Sequence, residues 1–459
     1  MTLHPCPLVR DARTWPLWIR GDGIGAVAHG RSIRTVATTA NRMELGDLDP
    51  VALNTGTGRD GRQAVASQLS WLDSSRAEQQ RMRELLNMFS EQESRDELGI
   101  GQVRDAFGDL LFPGTSTLHT RARYLLIVPW CIQYAGRRAD RDQTVELDRI
   151  ERTVITALLA TNATDGLIGR RASTGVKTLP STIYASALRR YSIDNGFELA
   201  ATGGDPEAAE LTDRRIGRWP ATLPPPPPGF PEAVGTGLDL MRNEATWLRE
   251  RIVTSTPGSL LAHLLQTGTR MDDEATEPWL SAAAASAHER VRTDLDYARK
   301  FSTCLHGAAL LYNLLVAERY EKAGYTGIDP PDYRALVAGW AERVANVEPW
   351  DRADMWTRLI QINPRIANNM RTRMFIETWL DHVLAMRANS AADNQELRDL
   401  VTRREKAVKK TQSRLVNDKL LRGWTGASGT GRLAYRWLQV RRLLADIHDG
   451  MEAIDAAAA

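Results

Sequence analysis

Between Thr402 and Arg442 the chain carries twelve basic side chains and only two acidic ones, Glu405 and Asp418, a local charge of +10. Cations at that density attract a phosphate backbone, because each phosphate they neutralise releases condensed counterions. At about 100° per residue, Arg403, Lys406, Lys410 and Arg414 fall within about 80° of one another on a helix. Val401, Val408 and Leu415 lie on a roughly opposite stripe, so a helix docked by its aliphatic side would hold the cations outward. Trp424 sits in the glycine-rich stretch Gly423-Trp424-Thr425-Gly426-Ala427-Ser428-Gly429-Thr430-Gly431, where an indole is expected to be free to stack on a base. The expected nucleic-acid contacts are therefore Arg403, Lys406, Lys409, Lys410, Arg414, Arg422, Trp424, Arg432 and Arg436. The same face would also suit an acidic protein partner, or simply solvent.

Other chemistries have weaker signatures. The eight histidines include no pair at i, i+4, and His288-Glu289 lacks the second histidine of a zinc HExxH helix. Cys304 and His306, two residues apart, would point about 200° from each other on a helix, a poor nucleophile and base. Cys304 also falls on an apolar stripe, where packing is its expected role. Asp105 and Asp109 share a helix face and could hold a metal or act as acid and base. The plainer reading is a solvated face beside Arg104, or charges meeting a helix dipole. The glycine stretch could cradle a phosphate, yet no strand precedes it and no Gly-Lys-Ser/Thr follows, so it reads first as an interhelical turn. Cys6, Cys131 and Cys304 are too dispersed for a disulfide framework or a CxxC site. No catalytic residue, metal or cofactor is expected; a metal-dependent hydrolase built on Asp105 and Asp109 is the enzymatic alternative. A smaller basic patch, Arg121, Arg123, Arg137 and Arg138 with Arg170, Arg171 and Lys177, precedes a helix at 180–190 in a loosely helix-turn-helix order.

Helices must position these groups. Ser75-Arg76-Ala77-Glu78 fits a capping box, and Met82, Leu85, Leu86 and Phe89 follow on one face. A helix over 102–111 should stop at Phe112-Pro113-Gly114. The dense run Tyr124 to Trp130 suits a buried strand or helix, and its helical neighbours favour helix. Ile150, Val154, Ile155, Leu158 and Leu159 mark another amphipathic helix. Phe301, Cys304, Leu305, Ala308, Leu311, Tyr312 and Leu315 form the clearest stripe in the chain. Further helices are expected over 331–346, 351–361, 371–388, 393–422 and 432–448. Strand signals are sparse, so the expected fold is mainly α.

Two stretches depart from this pattern. Residues 1–66 lack any sustained period and read as a weakly ordered extension. Residues 201–232, with five consecutive prolines from Pro224 to Pro228, read as a linker between helical lobes at 67–200 and 233–459. No apolar run reaches membrane-spanning length, and Pro5, Pro7, Asp11 and Pro16 interrupt any signal peptide, so a cytoplasmic protein with no membrane partner is expected. The net charge of +2 over 459 residues hides an uneven distribution. Outside 402–442 the chain holds 47 basic against 55 acidic groups, so an acidic body carries one basic segment.

Several stretches resemble one family: Ser70-Trp71-Leu72-Asp73, Asp96-Glu97-Leu98-Gly99-Ile100-Gly101, Leu111-Phe112-Pro113-Gly114, His119-Thr120-Arg121-Ala122-Arg123-Tyr124, Gly166-Leu167-Ile168-Gly169-Arg170, Pro180-Ser181-Thr182-Ile183-Tyr184, His306-Gly307-Ala308, Leu311-Tyr312-Asn313, Gly426-Ala427-Ser428-Gly429 and Tyr435-Arg436-Trp437. Through them the chain is similar to DUF6361, a bacterial family of unknown function, over roughly residues 67–450. The resemblance brings no catalytic residues. It implies an association with mobile-element, phage-defence and restriction neighbourhoods. Together these readings predict a nucleic-acid-binding (DNA first), non-enzymatic accessory or recognition component of a bacterial phage-defence or DNA-processing system. The alternative is a protein-interaction scaffold whose basic face meets an acidic partner.

Overall fold

The computed structural model describes residues 96–137, 142–161, 164–196, 218–268, 275–385 and 391–453. The extension expected over 1–66, the helix expected from Ser75 and the first part of the expected linker, 201–217, lie outside them. The described residues all fall within one compact unit, residues 72–459. No strand occurs among them, so the fold is mainly α as expected.

Helices of eight residues or more, in chain order, are α1 (Gly101–Leu111), α2 (Tyr124–Gly136), α3 (Gln143–Ala160), α4 (Pro180–Arg190), α5 (Arg242–Ser255) and α6 (Leu260–Thr267). They continue as α7 (Glu289–Lys322), α8 (Tyr333–Ala345), α9 (Arg352–Ile362), α10 (Met370–Ala385), α11 (Gln395–Lys409) and α12 (Trp437–Glu452). Short polar side chains start many of them by taking an orphan backbone N–H: Asp142 for α3, Ser259 for α6, Asp332 for α8, Asp351 for α9 and Asn394 for α11. None of the described helices is long and apolar enough to cross a membrane.

The 34-residue α7 is the axis of the unit, with α1, α8, α10 and α11 packed around it. Its predicted stripe is buried from Phe301 through Tyr312. Gly307 lets α8 come close, since a Cβ there would lie 2.1 Å from the Trp340 ring. The indoles of Trp340 and Trp379 donate to the α7 carbonyls of Thr303 (2.7 Å) and Cys304 (3.0 Å), which fixes both neighbours against the axis. A second group pairs α5 with α12 and α6, and a third packs α3 and α4 on α2.

The run Tyr124 to Trp130 is helical, in α2, and buried throughout. The described part of the expected linker is not extended away from the helices. Trp130 donates to the carbonyl of Pro224 (2.8 Å), Trp247 donates to Thr222 (3.0 Å), and Phe230 packs edge-on against Trp130 and Tyr134. Proline carbonyls accept such bonds readily because a proline run has no N–H groups to compete for them.

The helix expected over 393–422 breaks after Lys409. Lys410 takes a positive φ of 51°, and a separate five-residue turn of helix runs Asp418–Arg422. Buried Glu405 is the cause: Ser413 Oγ and the Arg414 backbone N–H both donate to its carboxylate and fold the chain back. The last helix starts at Trp437 rather than 432, because Tyr435 and Arg436 are held in left-handed conformations. The Tyr435 hydroxyl donates to the Ala298 carbonyl (2.9 Å) on α7, and Arg436 is drawn toward α1.

Candidate functional site

The basic segment divides into three groups. In the first, charge is consumed inside the fold. Lys409 and Arg414 both bind the carboxylate of Glu97, at 3.2 and 2.5 Å, and Lys409 and Glu97 are each 8% exposed. Arg414 therefore does not share an outward face with Arg403, Lys406 and Lys410; the turn after Lys409 points it inward. Arg404 donates to the carbonyls of Leu98 (2.7 Å) and Gly99 (2.9 Å) and to Thr372 (2.7 Å). Arg441 donates to the Ala275 carbonyl (3.1 Å), and Arg442 pairs with Asp165 nearer the surface. Trp424 is 2% exposed and packs against Tyr320 and Tyr333, so the expectation of a free stacking indole is corrected. The loop around it is pinned: Asn313 exchanges two 2.8 Å bonds with the Ser428 backbone, and Tyr333 donates to Gly426 O at 2.6 Å.

The second group is exposed. Arg403, Lys406, Lys410, Lys419 and Arg422 face solvent, and none has an acidic partner among the described residues. Arg422 lies over the Tyr325 ring at 5.1 Å, which orients it while leaving its charge uncompensated. Asp399, one turn before Arg403, instead accepts from Gln395 at 2.8 Å.

Arg432 and Arg436, the third group, line a cavity of about 390 Å³ bounded by the start of α1, one side of α7 and the 428–439 stretch. Arg432 pairs with Glu277 (2.7 Å) and lies over the Trp279 ring; Arg436 pairs with Asp109 (2.6 Å) and donates to the Thr115 carbonyl (2.7 Å). His306 faces the same space from α7. Its Nε2 donates to the Thr430 carbonyl at 2.9 Å. Burial lowers its pKa, against the raising effect of that bond, and the positive charges of Arg343 and Arg432 lower it further. The imidazole is therefore neutral in a positive surrounding.

The catalytic alternatives fare differently. Burial pushes the Cys304 thiol up to about 12, so no thiolate is available to His306. Asp105 pairs with Arg104 at 3.0 Å and Asp109 with Arg436, and no group of three or more metal-ligating side chains occurs among the described residues. In the smaller basic patch Arg123 is fully buried against Glu244, and Arg121 binds Asp446 (2.9 Å) and Asp239 (2.7 Å). These two arginines hold the helices together rather than present charge.

Residues 66–451 match a family of unknown function, DUF6361. The chain belongs to it. No curated protein and no solved structure matches this DUF6361 chain. Stretches that carry the family resemblance meet at the cavity, among them those containing Glu97, His306, Tyr312, Ser428 and Arg436. Sequence reasoning missed Glu97 and Asn313 in this arrangement. Asn313 had a legible signal, a lone amide inside the otherwise apolar run Leu310 to Val316, which must find backbone partners once buried. Glu97 had none, since its cations lie more than 300 positions away.

Proposed function

We propose that this DUF6361 protein binds nucleic acid, DNA first, as a non-enzymatic accessory or recognition component of a bacterial phage-defence or DNA-processing system. The observation that carries the reading is a set of five exposed cations without acidic partners among the described residues: Arg403 and Lys406 on α11, Lys410 just past its end, and Lys419 and Arg422 on the short helix that follows. Arg403 and Lys406 are separated by about 4.5 Å along the helix, at about 1.5 Å of rise per residue, close enough to meet neighbouring phosphates of one strand. Contacts of this kind position a protein on a backbone without selecting a sequence. The buried Trp424 and the paired Lys409, Arg414, Arg432 and Arg436 take no direct part in the contact.

The test is fluorescence anisotropy with a labelled duplex, comparing the natural chain with R403E/K406E/K410E. The reading predicts salt-sensitive binding that the triple variant weakens at least tenfold at about 50 mM salt. Absence of salt-sensitive binding, or unchanged affinity in the variant, would overturn it. Co-purification of a stoichiometric acidic protein without nucleic acid would give the same five cations to a protein partner instead.

A further inference from the structure

We infer that the cavity between α1, α7 and the 428–439 stretch is a binding site for a nucleoside monophosphate, with the phosphate toward Arg432 and the 429–431 backbone and the base on the aliphatic wall. This inference uses residues other than the five exposed cations and stands independently of the DNA reading.

Size sets the first limit. About 390 Å³ lies at the lower end of the range of about 300–1,000 Å³ typical of small-ligand pockets, which suits one nucleotide rather than a dinucleotide. Charge sets the second. Arg104, Arg432 and Arg436 line the space, and their carboxylate partners Asp105, Glu277 and Asp109 do not. Each partner fixes its guanidinium while other N–H donors of the fork remain. Of the two carboxylates in the lining, Glu97 is already matched by Lys409 and Arg414, and Asp96 accepts from the Gly101 backbone N–H. The lining therefore favours an anion.

Unfilled hydrogen-bonding capacity points to a ligand that carries both acceptors and donors. His306 Nδ1 and Arg432 Nε are buried nitrogens with no partner, and both belong to side chains of this wall. An unsatisfied buried polar atom costs about 1–3 kcal/mol, which favours a ligand acceptor at the Arg432 Nε–H and, because Nε2 carries the imidazole proton, a ligand N–H or O–H at the bare His306 Nδ1. The backbone N–H groups of Gly429, Thr430 and Gly431 likewise make no hydrogen bond among the described residues. Their stretch is already held rigid through Asn313 and His306, so binding would cost little further ordering. Leu305, Ala309, Leu433 and Leu438 give the wall an aliphatic part. Leu438 at the rim is 71% exposed, an aliphatic surface beside arginines that a planar base would cover.

Isothermal titration calorimetry of the full chain with AMP, GMP, CMP and UMP tests this, with adenosine and inorganic phosphate as half-ligands. The expected result is saturable binding of at least one monophosphate, at least tenfold tighter than inorganic phosphate and than adenosine. R432Q should weaken it at least tenfold. Because Arg432 also carries an ion pair, L438D is the second variant: it places a carboxylate at an exposed rim position, should leave the melting temperature of the free protein unchanged and should weaken binding at least tenfold. R403E/K406E/K410E should leave it unchanged, which separates this site from the DNA reading. The inference is overturned if none of the four monophosphates binds, if phosphate alone binds equally well, or if L438D binds as the natural chain does.

Discussion

Arg123 offers the sharpest test of how this fold is held. It and Glu244 are both 0% exposed, and the guanidinium meets the carboxylate in a two-point fork, Nε to Oε2 at 3.0 Å and Nη2 to Oε1 at 2.9 Å. Its Nη1 donates to the carbonyls of Val234 (2.9 Å) and Gly237 (2.7 Å), so one side chain ties α2 to α5 and to the turn between the proline run and α5. Replacing Arg123 by methionine keeps the apolar stem and strands the Glu244 charge. Breaking one side of a buried pair costs about 3–5 kcal/mol, against a total stability of about 5–15 kcal/mol for a folded domain. The single variants R123M and E244Q should each lower the free energy of unfolding by that amount, read as a lower urea midpoint at an unchanged m-value. The double variant leaves no net charge to strand, so its loss should fall short of the summed single losses by at least about 2 kcal/mol. Strict additivity, or a loss below about 1 kcal/mol for R123M, would refute the argument, since either would mean that the pair is solvated.

Three further outcomes follow from particular contacts. G307A should lower stability by about 1–3 kcal/mol or more, read as a fall in melting temperature, because the added methyl meets the Trp340 ring and must push α8 from α7. W424A should cost about 3–5 kcal/mol of stability while leaving DNA affinity per folded molecule unchanged, since the indole is packed on Tyr320 and Tyr333 rather than displayed. His119, stacked on Tyr184, is lowered to about 4, first by burial, with the Ile183 carbonyl bond opposing and Arg436 adding to the fall. The unfolded chain then binds more protons than the folded one below pH 6.5, so stability should drop as pH falls from about 6.5 to about 4, by at most about 3 kcal/mol. H119N, which cannot titrate, should remove that part of the acid dependence; an identical pH profile would show that His119 is not its source.

Local periodicity carried most of the fold. The stripe from Phe301 to Tyr312 and the face of Trp437, Val440, Leu444 and Ile447 were legible because a buried helix writes its burial into residue spacing. Where a helix stops was less legible. The break after Lys409 depends on a buried glutamate recruiting Ser413 and the Arg414 backbone, and nothing in the run of cations signals that. The candidate surface was half legible for the same reason. A count of charges along 402–442 treats every cation as free, whereas Glu97, Asp109 and Asp165, all far away in the chain, take up Lys409, Arg414, Arg436 and Arg442. Trp424 was misjudged because a glycine-rich stretch looks loose. Here Asn313, Tyr333 and His306 clamp it, and the tryptophan becomes part of the packing.

The salt dependence of DNA binding tests the central claim most directly. Each phosphate neutralised contributes about −0.9 to the slope of log K against log salt, so five exposed cations permit a slope no steeper than about −4.5. Between about 50 and 200 mM salt that corresponds to a loss of up to about 500-fold, and R403E/K406E/K410E should flatten the slope to about −2 or weaker. A slope near zero would contradict nucleic-acid binding, and one near −10 would contradict the pairing that leaves only five of the twelve cations free.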